Sequence, residues 1–178
     1  LLPDTAMAII NVTEKAYLTL TLTASGAGGH SSRPPKVSTI GRLSAALQRI
    51  ENNPSATRLV EPVTTMLETI APHLEQPEQF IMSNLWLTGG VVADRMSEDP
   101  LMNSYVRTTT ALTMFNAGVK ENVLPQRAEA KVNFRLLPGD TPEAVVSRIT
   151  DLIDDPRIEI SYDEWAEVPG VSDYQEIG

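Results

Sequence analysis

The sequence contains no cysteine. Disulfide bonds and thiolate metal sites are therefore excluded, and residue content assigns no redox compartment. Cations are scarce: 14 Lys and Arg stand against 23 Asp and Glu, a formal net charge of -9. Phosphate binding requires clustered Lys and Arg, so nucleic acid is not an expected partner. An anionic membrane surface is disfavoured on the same ground. A small anionic substrate is not, because one local cation suffices. No apolar run approaches the ~18 residues of a membrane span. Histidine is nearly absent: His30 and His73 are the only two. They have neither H-x-x-x-H nor H-x-D spacing, so they make no metal site.

What is present is enough for a core. Hydrophobic residues make up 42% of 178, which fits one folded domain, or one domain with an insertion, rather than a disordered chain. The first residues, Leu1-Leu2-Pro3-Asp4, include no Met and have no signal-peptide pattern. The chain is expected to be a single soluble domain, residues 1–178, excised from a longer protein. It has no internal repeat and no low-complexity segment.

Residues 17–24 alternate, with Leu18, Leu20, Leu22 and Ala24 on one face and Thr19, Thr21 and Thr23 on the other. This predicts a strand with one buried face. Beyond Ser38, a plausible cap, Ile40, Leu43, Leu47 and Ile50 fall at helical spacing up to Asn52-Asn53-Pro54. Residues 54–106 show no clean strand pattern. The stripe Val63, Met66, Leu67, Ile70, Leu74, the apolar run 80–92 and a helical segment 94–107 predict a mostly helical insertion. Residues 107–115 form a second predicted strand. Residues 126–137 alternate again, with Ala128, Ala130, Val132, Phe134 and Leu136 opposite Glu129, Lys131, Asn133 and Arg135. Thr141 with Pro142 and Glu143 starts a helix whose buried stripe is Val145, Ile149 and Leu152. Ile158 and Ile160 mark a last strand, and the tail from Glu164 is expected to link onward. The order strand, helix, strand, strand, helix, strand predicts an α+β, ferredoxin-like fold. Four antiparallel strands carry two helices on one face, and the other face is open.

Candidate chemistry is concentrated in two places. Gly26-Ala27-Gly28-Gly29-His30-Ser31 fails the dinucleotide fingerprint, because its sixth residue is Ser, and fails the P-loop, because no Lys precedes Ser31 or Ser32. His30 in such a turn is either an exposed bystander or a functional imidazole. Ser31 and Ser32 read as turn-capping residues rather than nucleophiles. His73 has no functional pattern around it, and Asp154-Asp155 reads as a solvated turn. Arg135, on the open face with Asn133, is either a solvated strand residue or a bidentate carboxylate receptor.

The segments Gly28-Gly29-His30-Ser31-Ser32-Arg33-Pro34, Asn122-Val123-Leu124-Pro125 and Asn133-Phe134-Arg135-Leu136-Leu137-Pro138-Gly139-Asp140 resemble, in that order, the lid or dimerisation domain of the dizinc hydrolases. That family includes carboxypeptidase S, aminoacylase, acetylornithine deacetylase and succinyl-diaminopimelate desuccinylase. Glu14-Lys15-Ala16-Tyr17-Leu18 and Thr39-Ile40-Gly41-Arg42-Leu43 extend the resemblance, which points to the carboxypeptidase S branch. Ala16 stands where a glycine is expected. The resemblance covers nearly the whole chain and is least specific over 54–106.

The resemblance implies a homodimer formed through this domain, and a substrate that is a peptide or an N-acyl amino acid. It implies that His30 reaches the partner subunit's active site, where it polarises the scissile carbonyl and stabilises the oxyanion. It implies that Asn122 hydrogen-bonds substrate and that Arg135 grips the substrate carboxylate. Two zinc ions are implied for a catalytic domain of the parent enzyme. The His-x-Asp motif, the Glu-Glu pair and the late ligand histidine of that domain are absent from this sequence, so the chain alone is expected to hold no zinc and to hydrolyse nothing. The competing expectation is a non-catalytic ferredoxin-like module that only pairs subunits or binds a small ligand.

Overall fold

The computed structural model describes residues 12–162 and residue 172. Its centre is strand β1, Tyr17–Ser25. Alternation of Leu and Thr places Leu18, Leu20, Leu22 and Ala24 on one face, each at most 1% exposed. Burial of each large side chain contributes about 1.5–3 kcal/mol. Strand β5, Arg127–Arg135, pairs antiparallel with β1 from Tyr17↔Arg135 to Ser25↔Arg127, so Ala128, Ala130, Val132 and Phe134 share the buried face. Strand β3, Thr109–Ala117, flanks β5, and β6, Ile158–Tyr162, flanks β1. The order is β3-β5-β1-β6, with every pair antiparallel.

Helix α1, Thr39–Asn52, starts at Ser38, whose hydroxyl accepts from the Gly41 amide. Helix α6, Pro142–Ile153, starts at Thr141, whose hydroxyl accepts from Ala144. Both lie on the same sheet face, where Leu43, Leu47 and Ile50 meet Val145, Ile149 and Ile153 in one core with the strands. This is the ferredoxin-like βαββαβ arrangement. The opposite face carries Thr19, Thr21, Lys131, Asn133 and Arg135 and is covered by no helix among the described residues.

Between α1 and β3 lies a helical segment. It comprises α2 (Val63–Ile70), a 3₁₀ turn (Ala71–His73), α3 (Glu78–Ser83), α4 (Leu85–Met96) and α5 (Pro100–Val106). It has a small core of its own around Val63, Leu67, Leu85 and Val92. Arg58 ties it to the sheet: its guanidinium donates to Asp140 at 2.9 Å and to the Pro138 carbonyl at 3.2 Å. The Thr108 hydroxyl donates to the same carboxylate and accepts from the Leu137 amide at 2.7 Å.

Three expectations shift. Ile40 lies outside the buried stripe of α1 and is 38% exposed, because the inward face runs through Thr39, Leu43, Ala46, Leu47 and Ile50. In α6 the last buried position is Ile153 rather than Leu152. The expected helix over 94–107 is two helices. Asp99 caps the second by accepting from the Leu101 and Met102 amides, with Pro100 in its first turn. The tail from Glu164 lies outside the described residues, Ser172 excepted.

Candidate functional site

The loops that leave β1 and enter β5 run side by side beyond the end of the sheet. Gly26 donates to the Gln126 carbonyl at 2.9 Å. Two short strands then form, β2 (Gly29–His30) and β4 (Val123–Leu124), pairing Gly29↔Leu124 and His30↔Val123. Ser31 extends the ribbon by donating to the Asn122 carbonyl at 3.1 Å. The approach is close: a Cβ on Gly28 would lie 2.7 Å from Gln126 Cγ and 3.2 Å from the Leu124 carbonyl oxygen. Glycine is needed there so that the two backbones can meet. The ribbon puts His30 and Asn122, far apart in sequence, on one small platform.

His30 is exposed, and its ring is held from one side. The Ser32 amide donates to Nδ1 at 3.2 Å, and the Ser32 hydroxyl lies 2.9 Å from the same nitrogen. An amide N–H can only donate, so Nδ1 is the acceptor, and in the neutral ring the proton sits on Nε2. Nε2 has no hydrogen-bond partner among the described residues and is free to donate outward. On Asn122, the side-chain oxygen is buried and accepts from no described residue. Buried polar atoms are paired in the great majority of cases, so this oxygen stands out within the ribbon. The platform thus presents one outward N–H donor, His30 Nε2, beside the buried Asn122 side-chain oxygen.

Arg135 lies at the far end of β5, between Tyr17 and Thr109 in register. Its guanidinium stacks over the Tyr17 ring at 5.3 Å, which holds the planar fork without neutralising it. It makes no ion pair among the described residues. Asn133 is engaged, donating to the Thr19 hydroxyl at 2.9 Å. Arg127, beside the ribbon, is separated from Arg135 by the length of the strand, about 27 Å at ~3.4 Å per residue. His30 and Asn122 therefore share one end of the sheet and Arg135 occupies the other. No small substrate spans the two within one chain.

Two concavities elsewhere, of about 490 and 350 Å³, are lined by the helical segment and by the junction of α1, α5 and β3. Neither is lined by His30, Asn122 or Arg135. No group of three or more His, Cys, Asp or Glu among the described residues is placed to hold a metal ion. Asp155 is not a free turn residue. It accepts from Arg42 at 2.7 Å and from Arg157 at 2.9 and 3.0 Å, and these hydrogen bonds, those from Arg157 first, hold its carboxyl well below the usual carboxylate range. The Ser32 contact with His30 and the ribbon pairing were not legible in the sequence. The pairing depends on a contact between two loops that local pattern does not encode; the Ser32 contact lies within one turn, but turn chemistry alone does not name His30 as its target.

The family model described as the peptidase dimerisation domain, of M20 type, matches residues 12–160. Over 153 residues the chain is 43% identical to "N-fatty-acyl-amino acid synthase/hydrolase PM20D1" of Bos taurus, covering 85% of this chain and 30% of that protein. Over 155 residues it is 38% identical to "Probable carboxypeptidase S-like 2" of Dictyostelium discoideum, covering 87% of this chain and 30% of that protein. The chain thus spans under a third of the length of these relatives. Among solved structures, human carnosine dipeptidase 1 superposes with a TM-score of 0.56 at 13% identity, covering 94% of this chain and 41% of that one. At that identity the likeness concerns the fold. The family match over residues 12–160 and the identities to these relatives lead to one conclusion: the chain belongs to the M20 peptidase dimerisation domains.

Proposed function

We propose that this chain is the dimerisation and substrate-recognition lid of a zinc-dependent metallopeptidase or amidohydrolase that cleaves peptides or N-acyl amino acids. One observation carries the reading: the ribbon brings His30, its Nε2 facing outward, and Asn122 together beyond one end of β5, and Arg135, with no ion pair among the described residues, lies at the other. A lid of this shape serves two active sites of a homodimer. Its ribbon end enters the site of the partner subunit, and its Arg135 end borders the site of its own subunit.

In each composite site, Nε2–H of His30 donates to the scissile carbonyl oxygen. The bond strengthens as that oxygen becomes an oxyanion, so it favours the transition state over bound substrate. The Asn122 side chain hydrogen-bonds substrate. The Arg135 fork receives the free carboxylate through two parallel hydrogen bonds. Enzymes of this family are zinc-dependent. The described residues do not fit such an ion, and zinc would be held by a catalytic domain outside this chain. Alone, the chain is expected to hydrolyse nothing.

The non-catalytic alternative, a module that only pairs subunits, is supported by the uncharged edge strand β3 and makes different predictions. In the full-length enzyme, His30→Ala is expected to lower kcat by about 100- to 1000-fold, the cost of losing one oxyanion donor. Arg135→Ala is expected to raise KM roughly thirtyfold for substrates with a free carboxylate, since such a charged hydrogen bond is worth about 2 kcal/mol. Unchanged steady-state kinetics in both variants would leave only the pairing role.

A further inference from the structure

We infer that Ser32 is a positioning residue that orients the His30 ring for turnover, an inference that rests on the catalytic reading of His30. The reason lies in how the turn is built. The Arg33 amide donates to the His30 carbonyl at 3.1 Å, closing a tight turn that folds Ser32 back over the imidazole. Ser32 then addresses one nitrogen with two groups, its amide at 3.2 Å and its hydroxyl at 2.9 Å from Nδ1. The backbone beneath is fixed independently by the His30↔Val123 pairing and the Ser31 bond to Asn122. An exposed histidine normally samples several staggered rotamers and both neutral tautomers. Here a double contact on Nδ1 selects one of each, with Nε2–H facing away from the turn. Ser31, its neighbour, makes no such side-chain contact among the described residues. The two adjacent serines therefore differ in role: Ser32 holds the donor that His30 presents, while only the amide of Ser31 serves the ribbon.

A hydrogen bond that orients a donor acts on the chemical step rather than on substrate affinity. Ser32→Ala in the full-length enzyme is expected to lower kcat roughly tenfold with KM unchanged, and Ser32→Thr, which restores a hydroxyl, is expected to recover most of the loss. The direct readout needs no substrate. Long-range ¹H–¹⁵N spectra of this 178-residue chain report the protonation of each ring nitrogen. With only two histidines, the variant His73→Ala assigns the signals. Expected is a His30 ring protonated on Nε2 alone in the parent chain and in Ser32→Thr, and a measurable share of the Nδ1–H tautomer in Ser32→Ala, where only the backbone amide still addresses Nδ1. Nδ1–H in the parent chain, or identical spectra for parent and Ser32→Ala, would overturn the inference. A His30→Ala enzyme without turnover beside a Ser32→Ala enzyme at full kcat would also overturn it while leaving the catalytic reading intact. Full turnover in His30→Ala would remove that reading itself.

Discussion

Lys15 sits where the sheet meets the helical segment. Its ammonium donates to the Arg107 carbonyl at 2.7 Å. Burial lowers its pKa to about 8, although the nearby Asp140 carboxylate pulls the other way. The unfolded chain holds this proton up to about 10.4. Between those two values the unfolded state binds more protons than the folded one, so the Lys15 contribution makes stability rise with pH across that window. Below about 8 both states are protonated and the folded state carries the desolvation cost. Urea midpoints of the parent chain and Lys15→Met, compared at steps from pH 7.5 to 10.5, test this: the difference between them is expected to narrow as pH rises. A constant difference would show that Lys15 keeps its proton. The sequence marked Lys15 only as part of a motif, and it marked Asp154-Asp155 as a solvated turn. One of the two partners of Asp155, Arg42, lies 113 residues away, and no local pattern joins them.

The strands were the most legible elements. In β1 and β5 every second residue is apolar over nine positions, and a period of two has one structural meaning. Helix α6 was nearly as clear, because Thr141-Pro142 marks its start. Its end was not. Asp154 closes it in the left-handed conformation, at φ 44, a position that favours glycine. Asp154→Gly is expected to raise stability by about 0.5 kcal/mol, the relieved strain being partly offset by a more flexible unfolded chain. Equilibrium urea denaturation measures it, and a loss of stability would mean that the aspartate side chain is needed at the cap. The ribbon β2–β4 was illegible because strands of two residues carry no period. The break between α4 and α5 was misread although Asp99-Pro100 is a cap-and-proline start signal, because the apolar run before it has helical character throughout. The apolar run itself concealed a second feature. Trp86, Leu87 and Val91 on α4 are 84%, 63% and 74% exposed, and hydrophobicity alone does not tell a core face from an outer one.

For the molecule as a whole, the edges of the sheet bear on the proposed assembly. Strand β3 runs Thr-Thr-Ala-Leu-Thr-Met-Phe-Asn-Ala without charge or proline. Edge strands that meet solvent are normally blunted by such residues. Here only the register shift between Leu112 and Met114 interrupts it. Leu112, Met114 and Phe115 remain 37%, 52% and 43% exposed. This is the edge on which the proposed homodimer would form, apolar enough to offset the repulsion between two chains of net charge -9. Sedimentation of the parent chain is expected to give a dimer at micromolar concentration, and Phe115→Glu a monomer. A Phe115→Glu dimer would place the interface elsewhere.

The central claim is that one lid serves two active sites, His30 in one and Arg135 in the other. Mixed dimers of the full-length enzyme test it directly. His30→Ala and Arg135→Ala subunits, each severely impaired alone, are unfolded and refolded together at equal concentration. If the two residues act in different sites, every mixed dimer contains one site with both residues intact and one with neither. Random pairing then restores roughly a quarter of the parent activity. If both residues act in the same site, every site in every dimer lacks one of them, and the mixture stays as inactive as its parts. Restored activity is the result this account predicts; a silent mixture of well-folded dimers would contradict it.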